Sequence, residues 1–136
     1  MYNKILVPMA LDHGVSQHTL KVAKALAGSD GQIIALHVHE APQGSVAAYL
    51  DADVVKEGLE RARRELARKT DDIEGVTAEL VTGHTYRTII DYAAANSVDC
   101  IVIGSHKPGL SDFLLGSTAA RVVRHAACAV HVYRDA

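Results

Sequence analysis

The chain has no tryptophan and a single phenylalanine among its 136 residues, so it offers few aromatic platforms on which nucleic-acid bases could stack. Its two cysteines, Cys100 and Cys128, are isolated, with no CxxC pair. Both fall at apolar, strand-like stretches, where a buried, reduced thiol is the ordinary outcome. No apolar run is long enough to cross a bilayer, and a chain that opens on a strand, without a secretory leader, is expected to be cytoplasmic. Formal net charge is −2. The one cationic concentration, Arg61, Arg63, Arg64, Arg68 and Lys69, alternates with Glu57, Glu60 and Glu65 as a solvated helix face does, which argues against a nucleic-acid patch.

Several catalytic signatures are absent as well. There is no GxxxxGK[ST] phosphate loop, no GxGxxG after the first strand and no Gly-x-Ser-x-Gly. Paired catalytic carboxylates are missing too. No residue stands where it would serve as a general base, so the expectation is a protein that holds a ligand without turning it over quickly.

What is present is alternation. Apolar strands are predicted at Lys4 to Pro8, Gln32 to His39, Thr77 to Val81, Asp99 to Gly104 and Ala129 to Tyr133. Helical spacing is predicted at Ser16 to Ala27, closed by Gly28, at Ala47 to Lys69 with Gly58 weakening its middle, at Tyr86 to Asn96 and at Ser117 to His125. Strict alternation with near-continuous apolar strands implies a doubly wound α/β domain over residues 1–136, its parallel sheet covered by helices on both faces. Ligands of such sheets bind outside the carboxyl ends of the strands, where the winding reverses.

The stretch from Ile101 to Ser117, IVIGSHKPGLSDFLLGS, is the most informative. Ile103 and Gly104 end a buried strand, and Gly116, Ser117 and Thr118 open a helix. Between them Pro108-Gly109 suits the centre of a type II turn. A helix N-terminus carries unpartnered N–H groups and the positive end of the macrodipole, so it holds an anion without a basic side chain. Two readings stand for this loop: a phosphate cradle, with hydroxyls from Ser117 and Thr118, or a plain N-cap at Ser117 flanked by turn glycines. His106 either donates to a phosphate oxygen or is an exposed loop histidine.

The same stretch, with LLGS, RVVRHA and CAVHVYR after it, resembles the ATP-binding universal stress proteins, whose signature is G-x-x-G-x9-G-[ST]. In this chain the family's second glycine falls on Lys107, whose ammonium is in reach of a phosphate, and the interval to Gly116 is one residue shorter. This G-S-H-x-P form is similar to a single-domain, ATP-binding subgroup. The resemblance implies an adenine nucleotide alpha hydrolase-like fold with strand order 3-2-1-4-5, a crevice between the first and fourth strands, and ATP as the ligand, either alone or with Mg²⁺ or Mn²⁺. It also implies that the loop after the first strand contributes. There the family's P-x-D is Pro8-Met9-Ala10, with Asp12 two residues on, either substituting for the missing aspartate or acting as a turn or cap residue. Val38 matches the position whose backbone faces the adenine edge.

Other features carry less. His37 and His39 share one strand face, but no further ligands stand at metal spacing. Thr85 reads as an N-cap, and Arg87 as a surface residue. The last strand is apolar, and in the family it pairs with its own copy across a two-fold, so a homodimer through Val130 to Arg134 is expected. The leading function is a nucleotide-responsive regulatory module of the stress response that contacts a regulatory protein or a transporter. Two alternatives accompany it: a slow ATPase or autophosphorylating enzyme with Ser117, Thr118 or Ser111 as acceptor, and a stress dimer that binds no nucleotide.

Overall fold

The computed structural model describes residues 1–11, 15–40, 51–105 and 115–134. Along them run β1 (Tyr2–Pro8), α1 (Val15–Leu26), β2 (Ala27–His39), α2 (Ala52–Thr70), β3 (Val76–Thr82), α3 (Thr85–Ala95), β4 (Cys100–Gly104), α4 (Ser117–His125) and β5 (Ala129–Tyr133). The five strands form one parallel sheet in the order β3-β2-β1-β4-β5. Fold class and strand order are those expected.

Successive side chains of a strand point to opposite faces, and the central strands use both. Ile5 and Val7 of β1, Ile33 and Ala35 of β2, and Cys100 and Val102 of β4 pack with Leu20 and Ala23 of α1 and Leu66 of α2. Leu6, Leu36, Val38, Ile101 and Ile103 take the other face and pack with Ile89 and Ala93 of α3 and Ala119 and Val122 of α4. This is why the strands read as continuous apolar runs: a parallel sheet covered on both sides has no solvent face. Each fully buried aliphatic side chain contributes about 1.5–3 kcal/mol to stability. Burial also pushes the Cys100 thiol up to about 11, so it is a neutral core group at physiological pH.

The edges of elements differ from expectation in instructive ways. Helix α1 ends at Leu26, and Gly28 is not its closing residue; β2 starts at Ala27. Tyr2 pairs with Ala27 but Lys4 with Gln32, so β2 bulges between them. Gly31 is needed there, since a Cβ would lie 2.9 Å from that of Ala27. Gly58 does not interrupt α2, which runs unbroken to Thr70. The arginines of α2 are exposed, and Arg68 pairs with Glu65 at 2.9 Å. α2 starts at Ala52 and not at the expected Ala47, because Asp51 is its N-cap, with extended backbone and a carboxylate that accepts from the Asp53 N–H at 2.9 Å. Cys128 precedes β5, which opens at Ala129. Among the described residues no helix is long and apolar enough to cross a membrane.

At the amino end of the sheet Asp99 ties β4 to β1. Its carboxylate accepts from the N–H groups of Asn3 at 2.8 Å and Lys4 at 3.0 Å, while its own N–H donates to the Lys4 carbonyl at 3.0 Å. Partial burial works against the charged form, but the N–H groups of Asn3, Lys4 and Asp99 and the nearby N-terminus outweigh it, so the carboxyl is held below its ordinary 3.8. A depressed carboxylate stabilises the fold above its unfolded pKa and ceases to as pH falls through the folded value. Asp99→Ala is therefore expected to lower the unfolding free energy by about 1–2 kcal/mol at neutral pH. In urea denaturation at stepped pH the gap between variant and parent should close below about pH 4.

Candidate functional site

The sheet parts at its centre. β1 and β4 pair only through Ile5 with Cys100 and Leu6 with Ile101. Beyond that point β1 continues beside β2 as far as Pro8 and Leu36, and β4 continues beside β5 as far as Gly104 and Tyr133. The two middle strands thus diverge at their carboxyl ends, at the place where the winding reverses. Any ligand seated here meets the loops after Pro8 and after Gly104.

The residues expected at the site fall around this opening in different ways. Pro8 ends β1, and Met9 is buried, its N–H donating to the Leu36 carbonyl at 2.8 Å. The Met9 side chain joins the core on the α1 and α2 face, while those of Val38 and Ile103 join the opposite core. These two therefore present main-chain groups, not side chains, at the strand ends. Ala10 is exposed and, as the sequence implied, brings no carboxylate. Gly104 is the last residue of β4, and Ser117 and Thr118 are the first two of α4, the former exposed and the latter half-buried. Asp12, His106, Lys107 and Gly109 lie outside the described residues, as does Ser111.

The cap of α4 is Gly116, not Ser117. Its N–H donates to the Ser105 carbonyl at 2.9 Å, and the Ser105 N–H donates to the Tyr133 carbonyl at 2.9 Å. A Cβ on Gly116 would stand 3.3 Å from that Ser105 carbonyl oxygen, closer than an ordinary side-chain contact. Glycine lets the helix start lie directly against the end of β4. No side chain caps α4 among the described residues; the first N–H groups of a helix have no intrahelical partner and stand at the positive end of its dipole. The arrangement fits an anion, and the hydroxyls of Ser117 and Thr118 belong to the same turn.

Three contacts around this edge escaped the sequence reading. The His37 ring donates through Nδ1–H to the Met9 carbonyl at 2.8 Å and so holds the loop after β1 against β2; the carbonyl can only accept, which places the proton on Nδ1. The His18 ring of α1 stacks on Tyr133 with centroids 5.6 Å apart. Glu40 does what Thr85 was expected to do. The cap position of α3 is His84, without a side-chain bond, and the Glu40 carboxylate accepts from the Thr85 N–H at 3.1 Å and the Thr85 hydroxyl at 2.5 Å. These two bonds from Thr85 hold the Glu40 carboxyl below its usual range. A histidine two places from another and an acid closing a strand are weak signals, because neither partner is near in sequence. His37 and His39 have ring centroids 6.4 Å apart.

The model of the universal stress protein family matches residues 1–134. The chain belongs to the universal stress protein family. Universal stress protein G of Shigella flexneri is 30% identical to it over 142 residues, covering 98% of this chain and all of the relative. The structure of the hypothetical protein MJ0577, solved for structure-based assignment of biochemical function, superposes with a TM-score of 0.83 at 26% identity, covering 100% of this chain and 98% of that one. A universal stress protein from Archaeoglobus fulgidus, solved in complex with dAMP, has the same fold, with a TM-score of 0.63 at 21% identity over 96% of this chain and 97% of that one.

In this universal stress protein, Glu40 and Thr85 form one unit that starts α3. Either Glu40→Ala or Thr85→Ala is expected to lower thermal stability by about 1 kcal/mol. The double variant should lose little more than either single one, a coupling that a double-mutant cycle reads directly.

Proposed function

We propose that the protein binds ATP, with Mg²⁺ or Mn²⁺, in the opening between the carboxyl ends of β1 and β4, and acts as a nucleotide-responsive regulatory module in the cytoplasm. The observation that carries this reading is the start of α4: a helix N-terminus without a side-chain cap among the described residues, held by glycine against the end of β4, at the point where β1 and β4 separate. Family membership supports it, as does the adenine nucleotide bound by the Archaeoglobus fulgidus neighbour.

In this reading the N–H groups and hydroxyls of Ser117 and Thr118 hold the phosphates, with His106, Lys107 and Gly109 contributing from the loop before them. Pro8, Met9 and Ala10, together with the main chain at Val38, line the ribose and base, and Asp12 follows Ala10 by two residues in the sequence. ATP supplies the charge and the ring that these groups recognise. No general base is assigned, so the role is binding: a ligand touching two loops at once favours the conformation in which both are in place and shifts the population towards it. What the protein then contacts changes with nucleotide occupancy.

The exposed edge of β5 fits a self-complementary partner. Val130 and Val132 pack inward against the α3 and α4 core, and among the described residues the outer edge of the strand has no neighbour in the sheet. An antiparallel pairing with a second copy would cover it.

Calorimetric titration of nucleotide-free protein with ATP and Mg²⁺ tests the site. Saturable binding is expected, and Gly116→Val, which drives a side chain into the Ser105 carbonyl, should weaken it by at least about tenfold. Absence of heat from a folded parent protein would mean that Ala10 marks a lost site. Sedimentation equilibrium tests the pairing: a dimer is expected, and Val130→Pro, which removes an edge donor, should give monomer with its sheet intact by circular dichroism.

A further inference from the structure

We infer that the shared face of α3 and α4 around Tyr86 is a docking surface for a carboxylate-rich segment of a partner protein. Tyr86 is half-buried and packs against the core between the two helices. The Arg121 guanidinium lies over its ring at 5.0 Å and that of Arg87 at 6.0 Å. His84 meets the ring edge-on with centroids 5.0 Å apart, and His125 lies alongside at 6.2 Å. Both arginines and both histidines are exposed. One aromatic side chain thus gathers four nitrogen-rich groups from two helices at the surface.

The charge balance here is unlike that of α2. There arginines and glutamates interleave, and Arg68 is satisfied by Glu65 at 2.9 Å. α3 and α4 together carry Arg87, Arg121 and Arg124 against one acid, Asp91. No described carboxylate pairs with any of the three arginines. A guanidinium lying on a ring at an exposed site is modestly favoured there by the cation–π attraction, while the N–H donors at its edge stay open to a partner. Such a group is prepared to accept a carboxylate in a two-pronged bond, and little side-chain freedom remains to be lost on binding.

The chemistry separates this partner from two others. A nucleic acid needs a bare ring for base stacking, and the Tyr86 ring already carries guanidinium groups. A lipid surface needs an apolar side chain to insert beside the cations. The exposed apolar residue of α4 is Val123, two positions from Arg121 and hence turned about 200° away from it around the helix. The inference stands apart from the nucleotide reading, although α4 bears the candidate phosphate cradle at its start and this surface further along.

The full-length protein would be titrated against a fluorescein-labelled glutamate-rich peptide and its all-glutamine twin, by fluorescence anisotropy at about 0.15 M salt, where the screening length is near 8 Å. The glutamate peptide is expected to bind and its twin not to. Arg87→Gln combined with Arg121→Gln should weaken binding at least about tenfold, whereas Arg63→Gln with Arg64→Gln on α2 should leave it unchanged. Arg121→Lys keeps the charge, loses the planar fork, and should also weaken binding by roughly threefold. Thermal melts would verify that each variant is folded. Equal binding of the glutamine twin, equal loss from the α2 variant, retention of binding after both arginines are replaced, or tighter capture of phosphatidylserine vesicles or single-stranded DNA would each overturn the assignment.

Discussion

Burial of one parallel sheet on both faces is the constraint from which the rest of this structure follows. Parallel strands need a crossover between each pair, and right-handed crossovers place the helices on the two faces. With Ile5 and Val7 turned to one core and Leu6 to the other, β1 cannot slip by one residue without exchanging its two sets of neighbours. The same topology brings every strand-to-helix loop to the carboxyl edge. Polar chemistry collects there because the sheet itself has no room for it.

That edge is built mostly from main-chain groups. The ladder between Ser105, Gly116 and Tyr133 joins three elements through two hydrogen bonds of 2.9 Å each, fixing both ends of the loop that separates β4 from α4. Met9 is held in a comparable way by Leu36 and His37. Anchored main-chain groups at the ends of these loops suit recognition of a small anion, since the groups that receive it need little rearrangement. None of these hydrogen bonds depends on the side chain at position 10.

Beyond the edge, the two helical layers present different surfaces to water. α2 balances its own charges along one face, the usual arrangement for a solvated helix. α3 and α4 do not, and the cations they share are organised by an aromatic ring from beneath. A surface whose donors are fixed but not satisfied is suited to a partner of opposite charge.

Strand positions, fold class and strand order were legible in the sequence because they depend on periodicity and on a family motif that lies within one stretch of chain. The start of α4 at Ser117 was legible for the same reason. The cap itself was not: glycine takes the position that one of the two readings gave to Ser117, and the Ser105 carbonyl stands 3.3 Å from where a Cβ would be, a distance set by how β4 and α4 meet. Thr85 looked like a cap from its local neighbours, yet its partner, Glu40, is 45 residues away. Gly28 looked like a helix stop, but pairing with β1 drew the chain into β2 at once. The sequence by itself determined which segments are strands and helices and which loop carries the glycine-rich stretch, since local periodicity and backbone freedom act over a few residues. Only the tertiary structure decided which groups close the caps, which carbonyls hold the loops and which cations share a ring, since those contacts join residues far apart in the chain.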